Sequence, residues 1–230
     1  MDNVAVVRIA QILDVLESHY GALHAPAPVD PYEFLIWWHS GYPASEERCQ
    51  KGWQSLIEHI GTAPEQLVAA STAKLAQALK AGGMVPEVRA LRLKEIAARV
   101  QGEFGNDLRA ALSQLAAPQA RKVLKTFPGI GNPGADRIAL FSRLSPVSAV
   151  PSACPHVLVR IVHGPEESEY TANYAAAQRT LDALSANYEA RIRGYLLIAR
   201  HAQELCKRSK PACGQCPLES ACAFAKRTKK

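Results

Sequence analysis

Four cysteines near the end of the chain, Cys206, Cys213, Cys216 and Cys222, follow the pattern Cys-x6-Cys-x2-Cys-x5-Cys within CKRSKPACGQCPLESAC. Thiolates are soft donors, and four of them on one short wrapped loop can surround either an iron-sulfur cage or a single zinc ion. A tetrahedral zinc site more often pairs two Cys-x2-Cys knuckles, and this stretch has one. Lys207, Arg208 and Lys210 lie between the first two ligand positions, where their charge is expected to balance part of the thiolate charge. In a reducing compartment such crowding points to metal ligation rather than disulfides. Cys49 and Cys154 fall outside the pattern and read as small packed residues.

A second group lies in FPGIGNPGADRIALF, where Gly129 and Gly131 flank Ile130 between two helical stretches. Two glycines allow a tight turn with positive backbone angles and leave the amides open to close approach. Asn132 suits an N-cap and Pro133 the first helical position, where its missing N–H is not needed. Such a corner presents backbone donors at the positive end of a helix, a natural seat for a phosphate. The same residues also suit a plain helix-turn-helix corner with capping glycines.

These groups need a scaffold, and the pattern along the chain is helical. Apolar residues recur at helical spacing almost throughout, with no pair of alternating strands joined by a hairpin turn, so the expected fold is all-α. The first helix runs through VVRIAQILDVLESHY and ends near Gly21, followed by the proline-broken HAPAPVD. Another starts after Asp30 with Pro31 as its first residue and carries FLIWW, whose Trp37 and Trp38 read as core. Thr62 and Glu65, with Pro64 between, have the spacing of a capping box. Gly82-Gly83 and Gly105-Asn106 are stops, and the segment between them places Val88, Leu91, Ile96 and Val100 near one helical face. Ala117 to Phe127 continues as a helix that halts at Pro128. EYTANYAAAQRTLDAL and YEARIRGYLLIARHAQEL are long helical segments, and the second runs into Cys206.

At 230 residues, 48% of them hydrophobic, the chain can bury one substantial core or two small ones. The formal net charge of +6 suits a polyanionic partner, because counterions released from it help drive binding. No stretch approaches the roughly 20 apolar residues that cross a bilayer, and the N-terminal residues lack a basic region followed by a cleavage site, so a cytoplasmic protein is expected.

With both motifs placed, the chain resembles the endonuclease III superfamily of DNA glycosylases. FPGIG followed by a helix is similar to their helix-hairpin-helix, and the cysteine spacing, with Cys-Pro-Leu at the third ligand position, is similar to their cluster loop. The resemblance implies a [4Fe-4S] cluster on Cys206, Cys213, Cys216 and Cys222. It implies that Gly129, Ile130 and Gly131 contact a DNA phosphate, often with a bound monovalent cation, while Lys122 and Lys125 add nonspecific attraction. It also implies two interleaved helical domains: residues 32–150 as a six-helix domain with the hairpin, and residues 1–31 plus 151–230 as the cluster domain. The implied partner is double-stranded DNA, including damaged duplexes, bound by a monomer of the base-excision glycosylase or abasic-site lyase class.

The sequence departs from that family at the chemistry. The Schiff-base lysine stands two residues after the second hairpin glycine, where this chain has Pro133, and the essential aspartate follows a valine where this chain has Val150-Pro151. Asp136, three residues beyond Pro133, falls on roughly the same side of the helix and is the candidate carboxylate, though a first-turn acid also simply favours a helix N-terminus. Ser152 and His156 share the segment of the missing aspartate but have no evident third partner. Tyr42, in WWHSGYPAS, falls near where many members place a glutamine that fills the space of a flipped base; it reads either as an aromatic wedge or as a turn residue packed on the core. Two functional expectations follow: a repair enzyme with altered chemistry, or a noncatalytic binder of lesion-bearing or bent DNA.

Overall fold

The helical periodicity becomes thirteen α-helices and no strand among the residues that the computed structural model describes, 3–25 and 28–228. No helix among them is long and apolar enough to cross a membrane. The chain divides into two units, one formed by residues 26–144 and the other by residues 1–25 together with 145–230. The boundaries fall earlier than the motifs alone suggest, for local reasons. Arg109 donates to the carbonyl of Val29 at 2.6 Å and pairs with Asp30 at 3.4 Å, which ties the residues before the second helix to the central unit. Val150 is fully buried in the same apolar cluster as Val157 and Leu158, which assigns the segment before the missing aspartate to the other unit.

The central unit has six helices of eight or more residues: α2 (Pro31–His39), α3 (Glu46–His59), α5 (Thr72–Leu79), α6 (Pro86–Glu103), α8 (Ala117–Leu124) and α9 (Asn132–Phe141). Two six-residue helices, α4 (Pro64–Ala69) and α7 (Leu108–Ser113), connect them. Asp30 caps α2 as its position suggests, its carboxylate accepting from the amides of Tyr32 and Glu33 at 2.9 and 3.1 Å. The cap of α4 is shifted by one residue from the expected Thr62–Glu65 pair. The Gln66 side-chain oxygen accepts from the Ala63 amide at 3.1 Å, while Thr62 offers its carbonyl to the Tyr32 hydroxyl at 2.6 Å. α8 ends three residues before Phe127, in a tight turn closed by Phe127 N–H to the Leu124 carbonyl.

α6 is rotated from the expected face. Ala90, Leu93, Ile96, Ala97 and Val100 are buried, whereas Val88 and Leu91 are 44% and 58% exposed. The cause is Arg89, which is wholly buried and donates to the carbonyls of Ser40, Leu79, Gly83 and Met84, the last three at 2.8 to 3.0 Å. Turning Arg89 inward turns its neighbours Val88 and Leu91 outward. Gly82 makes room for this: a Cβ there would lie 1.8 Å from the Ser40 carbonyl oxygen and 2.6 Å from the guanidinium.

The other unit packs α1 (Asn3–Tyr20), α10 (His156–Val162), α11 (Tyr170–Asp182), α12 (Tyr188–Glu204) and α13 (Ala223–Thr228). Ile9, Ile12, Leu13 and Leu16 form the buried stripe of α1, at the spacing of one helical face. They join Val157, Leu158, Leu181 and Ile198 in a core that includes Cys222 and against which the partly buried Cys206 and Cys216 pack. Gly21, at φ +77°, ends α1 as expected, with its amide on the Glu17 carbonyl at 2.8 Å.

Removing the Arg89 guanidinium leaves four carbonyls at the junction of α2, α5 and α6 without their donor. Arg89→Met is therefore expected to lower stability by about 3 to 5 kcal/mol. Urea unfolding measures this, and an unchanged midpoint would show that the buried guanidinium is dispensable.

Candidate nucleic-acid interface and metal centre

The hairpin joins α8 to α9. Gly129 takes φ +70°, a region costly for any residue with a Cβ, and a Cβ there would also lie 3.2 Å from the His39 ring. Ile130 turns its side chain inward, 5% exposed, and its amide donates to the Phe127 carbonyl at 3.3 Å. Gly131, rather than Asn132, is the N-cap of α9, so Asn132 and Pro133 occupy the first two helical positions. The first amide of this stretch to close a helical bond is that of Ala135, to the Gly131 carbonyl at 2.9 Å. The exposed amides of Gly129, Gly131 and Asn132 donate to no acceptor among the described residues. These unbonded backbone donors belong to exposed residues at the positive end of a ten-residue helix. Lys122 and Lys125, on and just after α8, are both exposed.

α9 is held from behind by Arg137. Its guanidinium, only 6% exposed as a residue, pairs with Glu46 and lies 5.0 Å from the Trp38 ring centre, 5.4 Å from Phe34, 5.5 Å from Phe141 and 5.6 Å from Trp37. The two tryptophans are core, as their setting suggests, and they also form the aromatic walls around a buried cation. Tyr42 is half-buried with its ring 5.0 Å from that of Trp38, at the turn after α2, so it packs on the core.

Asp136 is 1% exposed, and both carboxylate oxygens accept from Arg121 of α8, at 2.5 and 3.0 Å. This bidentate pair clamps the two helices of the motif together. A carboxylate committed in this way is poorly placed to activate a nucleophile. Pro133 brings no titratable group to the hairpin, and Pro151 is buried. Ser152 and His156 do not form a pair: His156 Nε2 lies 2.9 Å from the Cys206 carbonyl, and burial lowers its pKa.

His39 is a feature that motif reading passes over. It ends α2 beneath Gly129, is wholly buried, and neither ring nitrogen has a hydrogen-bond partner of normal geometry. Burial, reinforced by the neighbouring Arg92, lowers its pKa to about 4, against a smaller upward pull from the Pro128 backbone. The signal in the sequence is a histidine closing an otherwise apolar run, FLIWWH.

In the other unit, all four pattern cysteines line one pocket, with Arg160, His201 and Phe224 among its other walls. Among the described residues no three His, Cys, Asp or Glu side chains stand close enough together to hold one ion. Two of the sulfurs accept from N–H groups, Cys216 Sγ from the Leu218 amide at 3.4 Å and Cys206 Sγ from the Arg160 guanidinium at 4.0 Å, and His201 Nε2 lies 3.6 Å from Cys216 Sγ. Burial pushes the Cys206 thiol up to about 11 and raises that of Cys216. Thiolates at neutral pH in this setting require a bound cation.

The charge nearest the sulfurs comes from Arg160, not from the expected Lys207, Arg208 and Lys210. Arg160 also donates to the carbonyls of Lys207 and Arg208 at 2.9 Å each and pairs with Glu166 at 2.5 Å, while Arg208 lies 3.7 Å from Glu166. Lys207 and Lys210 are exposed. Cys49 and Cys154 are both buried and outside this cavity.

No protein-family model and no curated protein matches the chain. Solved structures do. A non-covalent endonuclease III–DNA complex superposes with a TM-score of 0.75 at 20% identity, covering 98% of this chain and 99% of the other. A thermostable thymine-DNA glycosylase gives 0.75 at 18% identity, covering 97% of each chain. The 3-methyladenine DNA glycosylase of H. pylori, bound to 1,N6-ethenoadenine, gives 0.62 at 15%, covering 87% of this chain and 97% of that one. The chain therefore has the fold of the endonuclease III-like helix-hairpin-helix DNA glycosylases.

The sign of the His39 effect on stability follows from its two pKa values. The unfolded ring titrates near 6.5 and the folded one near 4, so between these values the unfolded state binds more protons and stability falls as pH falls. His39→Leu is expected to flatten part of that loss. Urea midpoints compared at about pH 7 and about pH 4.5 read it directly, and an identical loss in the variant would contradict the assignment.

Proposed function

We propose that this chain is a DNA-binding protein of the base-excision-repair type, which grips a duplex phosphate with the Gly129–Gly131 hairpin and carries a [4Fe-4S] cluster on Cys206, Cys213, Cys216 and Cys222. The observation that carries the DNA reading is the set of exposed, unbonded amides at Gly129, Gly131 and Asn132, at the start of a helix braced by Arg137. A phosphate oxygen supplies the acceptor those amides lack, and the helix end supplies favourable potential. Lys122 and Lys125 add charge without base preference. Two of the comparison proteins are DNA glycosylases by name, and the other two structures hold endonuclease III on DNA.

For the metal, support comes from four soft donors around one pocket and from the Leu218 and Arg160 N–H groups directed at two of the sulfurs. When bound, an iron-sulfur cluster ties the terminal loop together and provides a one-electron couple. The protein's own share is to hold the loop: Arg160 takes its Lys207 and Arg208 carbonyls, and the apolar core takes Leu218 and Cys222.

A specific observation favours binding without the family's strand-cleaving chemistry. Pro133 stands where the lysine would be, Pro151 where the aspartate would be, and Asp136 is spent on Arg121. The chain then recognises lesion-bearing or bent DNA and leaves the cutting elsewhere.

Purified protein incubated with a panel of modified duplexes should bind with strong salt dependence and give no borohydride-trapped adduct. Replacing both Gly129 and Gly131 with alanine should weaken binding roughly ten- to a hundredfold on every sequence, as expected for one or two lost charge-assisted hydrogen bonds. Unchanged affinity would remove the hairpin from the interface, and a trapped lysine adduct would restore the lyase reading. Asp136→Asn should leave affinity unchanged while lowering stability by about 1.5 to 3 kcal/mol.

A further inference from the structure

One histidine connects the cysteine loop to the first helix of the chain. His201, near the end of α12, is 1% exposed and has a partner at each ring nitrogen. Nδ1 lies 2.9 Å from the hydroxyl of Tyr20, the last residue of α1, and Nε2 lies 3.6 Å from Cys216 Sγ. Tyr20 and Cys216 are 196 positions apart in sequence, and the imidazole bridges them.

We propose that His201 is a positioning residue of the metal centre, donating its Nε2–H to the Cys216 thiolate and so setting the reduction potential of the cluster, with Tyr20 fixing the imidazole tautomer. The inference rests on the cluster reading above. Its logic is one of donors and acceptors. A metal-bound thiolate has no proton to give, so a hydrogen bond between it and a neutral imidazole requires the proton on Nε2. Nδ1 is then the acceptor, and the Tyr20 hydroxyl is its donor.

The consequence for the metal is electrostatic. A hydrogen bond to a ligand sulfur withdraws charge from it and stabilises the more negative, reduced cluster, which raises the potential. Cys216 receives a second donor from the Leu218 amide at 3.4 Å, so it carries more of this stabilisation than its neighbours. Cys206 has the Arg160 guanidinium at 4.0 Å, and the Cys222 sulfur faces the Arg160 carbonyl at 3.5 Å, where it meets an acceptor instead.

The test uses full-length protein purified without oxygen. Wild type, Tyr20→Phe and His201→Phe are analysed for iron and sulfide, and their midpoint potentials are measured by titration against mediators. At equal iron content both variants should have a more negative potential than wild type, His201→Phe by the larger amount. His201→Gln, whose amide can still donate, should recover part of the shift. Wild-type protein without iron would sink the metal reading and this inference with it. Full iron loading with the same potential in all forms would overturn the hydrogen-bond relay and leave the metal reading intact. Should His201→Phe fail to fold or to hold iron, Tyr20→Phe decides the matter, because it deletes a single hydroxyl: an unshifted potential at full iron content overturns the proposal.

Discussion

Buried guanidinium groups hold both units of this protein in shape. An arginine side chain is never deprotonated in practice, and taking it out of water is costly unless its five donors are met. Four arginines here are 6% exposed or less, namely Arg89, Arg137, Arg160 and Arg191. Arg89, Arg160 and Arg191 donate mainly to carbonyls at helix ends and in loops. Arg89 gathers carbonyls from the ends of α2 and α5 and from the approach to α6. Arg191 holds the carbonyls of Leu184 and Ser185 after α11, and Arg160 those of Lys207 and Arg208 before the cysteine loop. The irregular segments of an all-helical fold are thereby given fixed hydrogen-bond partners, which is what a site built on loops requires.

Arg137 shows how this bears on recognition. Boxed by four aromatic rings and paired with Glu46, it anchors α9 to α2 and α3, while Arg121 and Asp136 tie α9 to α8. The turn between α8 and α9 is consequently held from both sides, and its open amides are presented without an ordering cost at the moment of binding. The two charged groups of α9 that could have served chemistry are consumed in this bracing. On the proposed reading this bracing suits a phosphate grip, because phosphate contacts position a duplex without reading its sequence.

In the other unit the same economy applies to the sulfurs. The Arg160 guanidinium and the Leu218 amide direct N–H groups at two of them, and the His201 ring lies against Cys216, so these contacts come from three different elements. The loop lysines, closest in sequence, point to solvent instead. A solvated ammonium in high dielectric does little for a charge that a buried guanidinium can reach directly.

Much was legible from residues alone. Cysteine spacing marked the cavity-lining set, the paired glycines marked the hairpin, and periodicity marked an all-helical chain, because metal ligation, positive φ and helix burial each demand particular residues at short, fixed intervals. The departure of Pro133 from the expected lysine was equally plain, since the missing group is a matter of identity. Other features needed the folded chain. Which side of α6 faces inward was decided by Arg89 finding four carbonyls, that of Ser40 lying 49 positions away, against an apolar pattern that suited Val88 and Leu91. Whether Asp136 was a free acid or half of an ion pair depended on Arg121, fifteen positions earlier, arriving opposite it. His39 under the hairpin and His201 between Tyr20 and Cys216 gain their settings only when distant helices pack. Local rules act over a few residues and can be read from the sequence; a buried polar group is defined by whatever folds against it, and only tertiary structure brings those partners together.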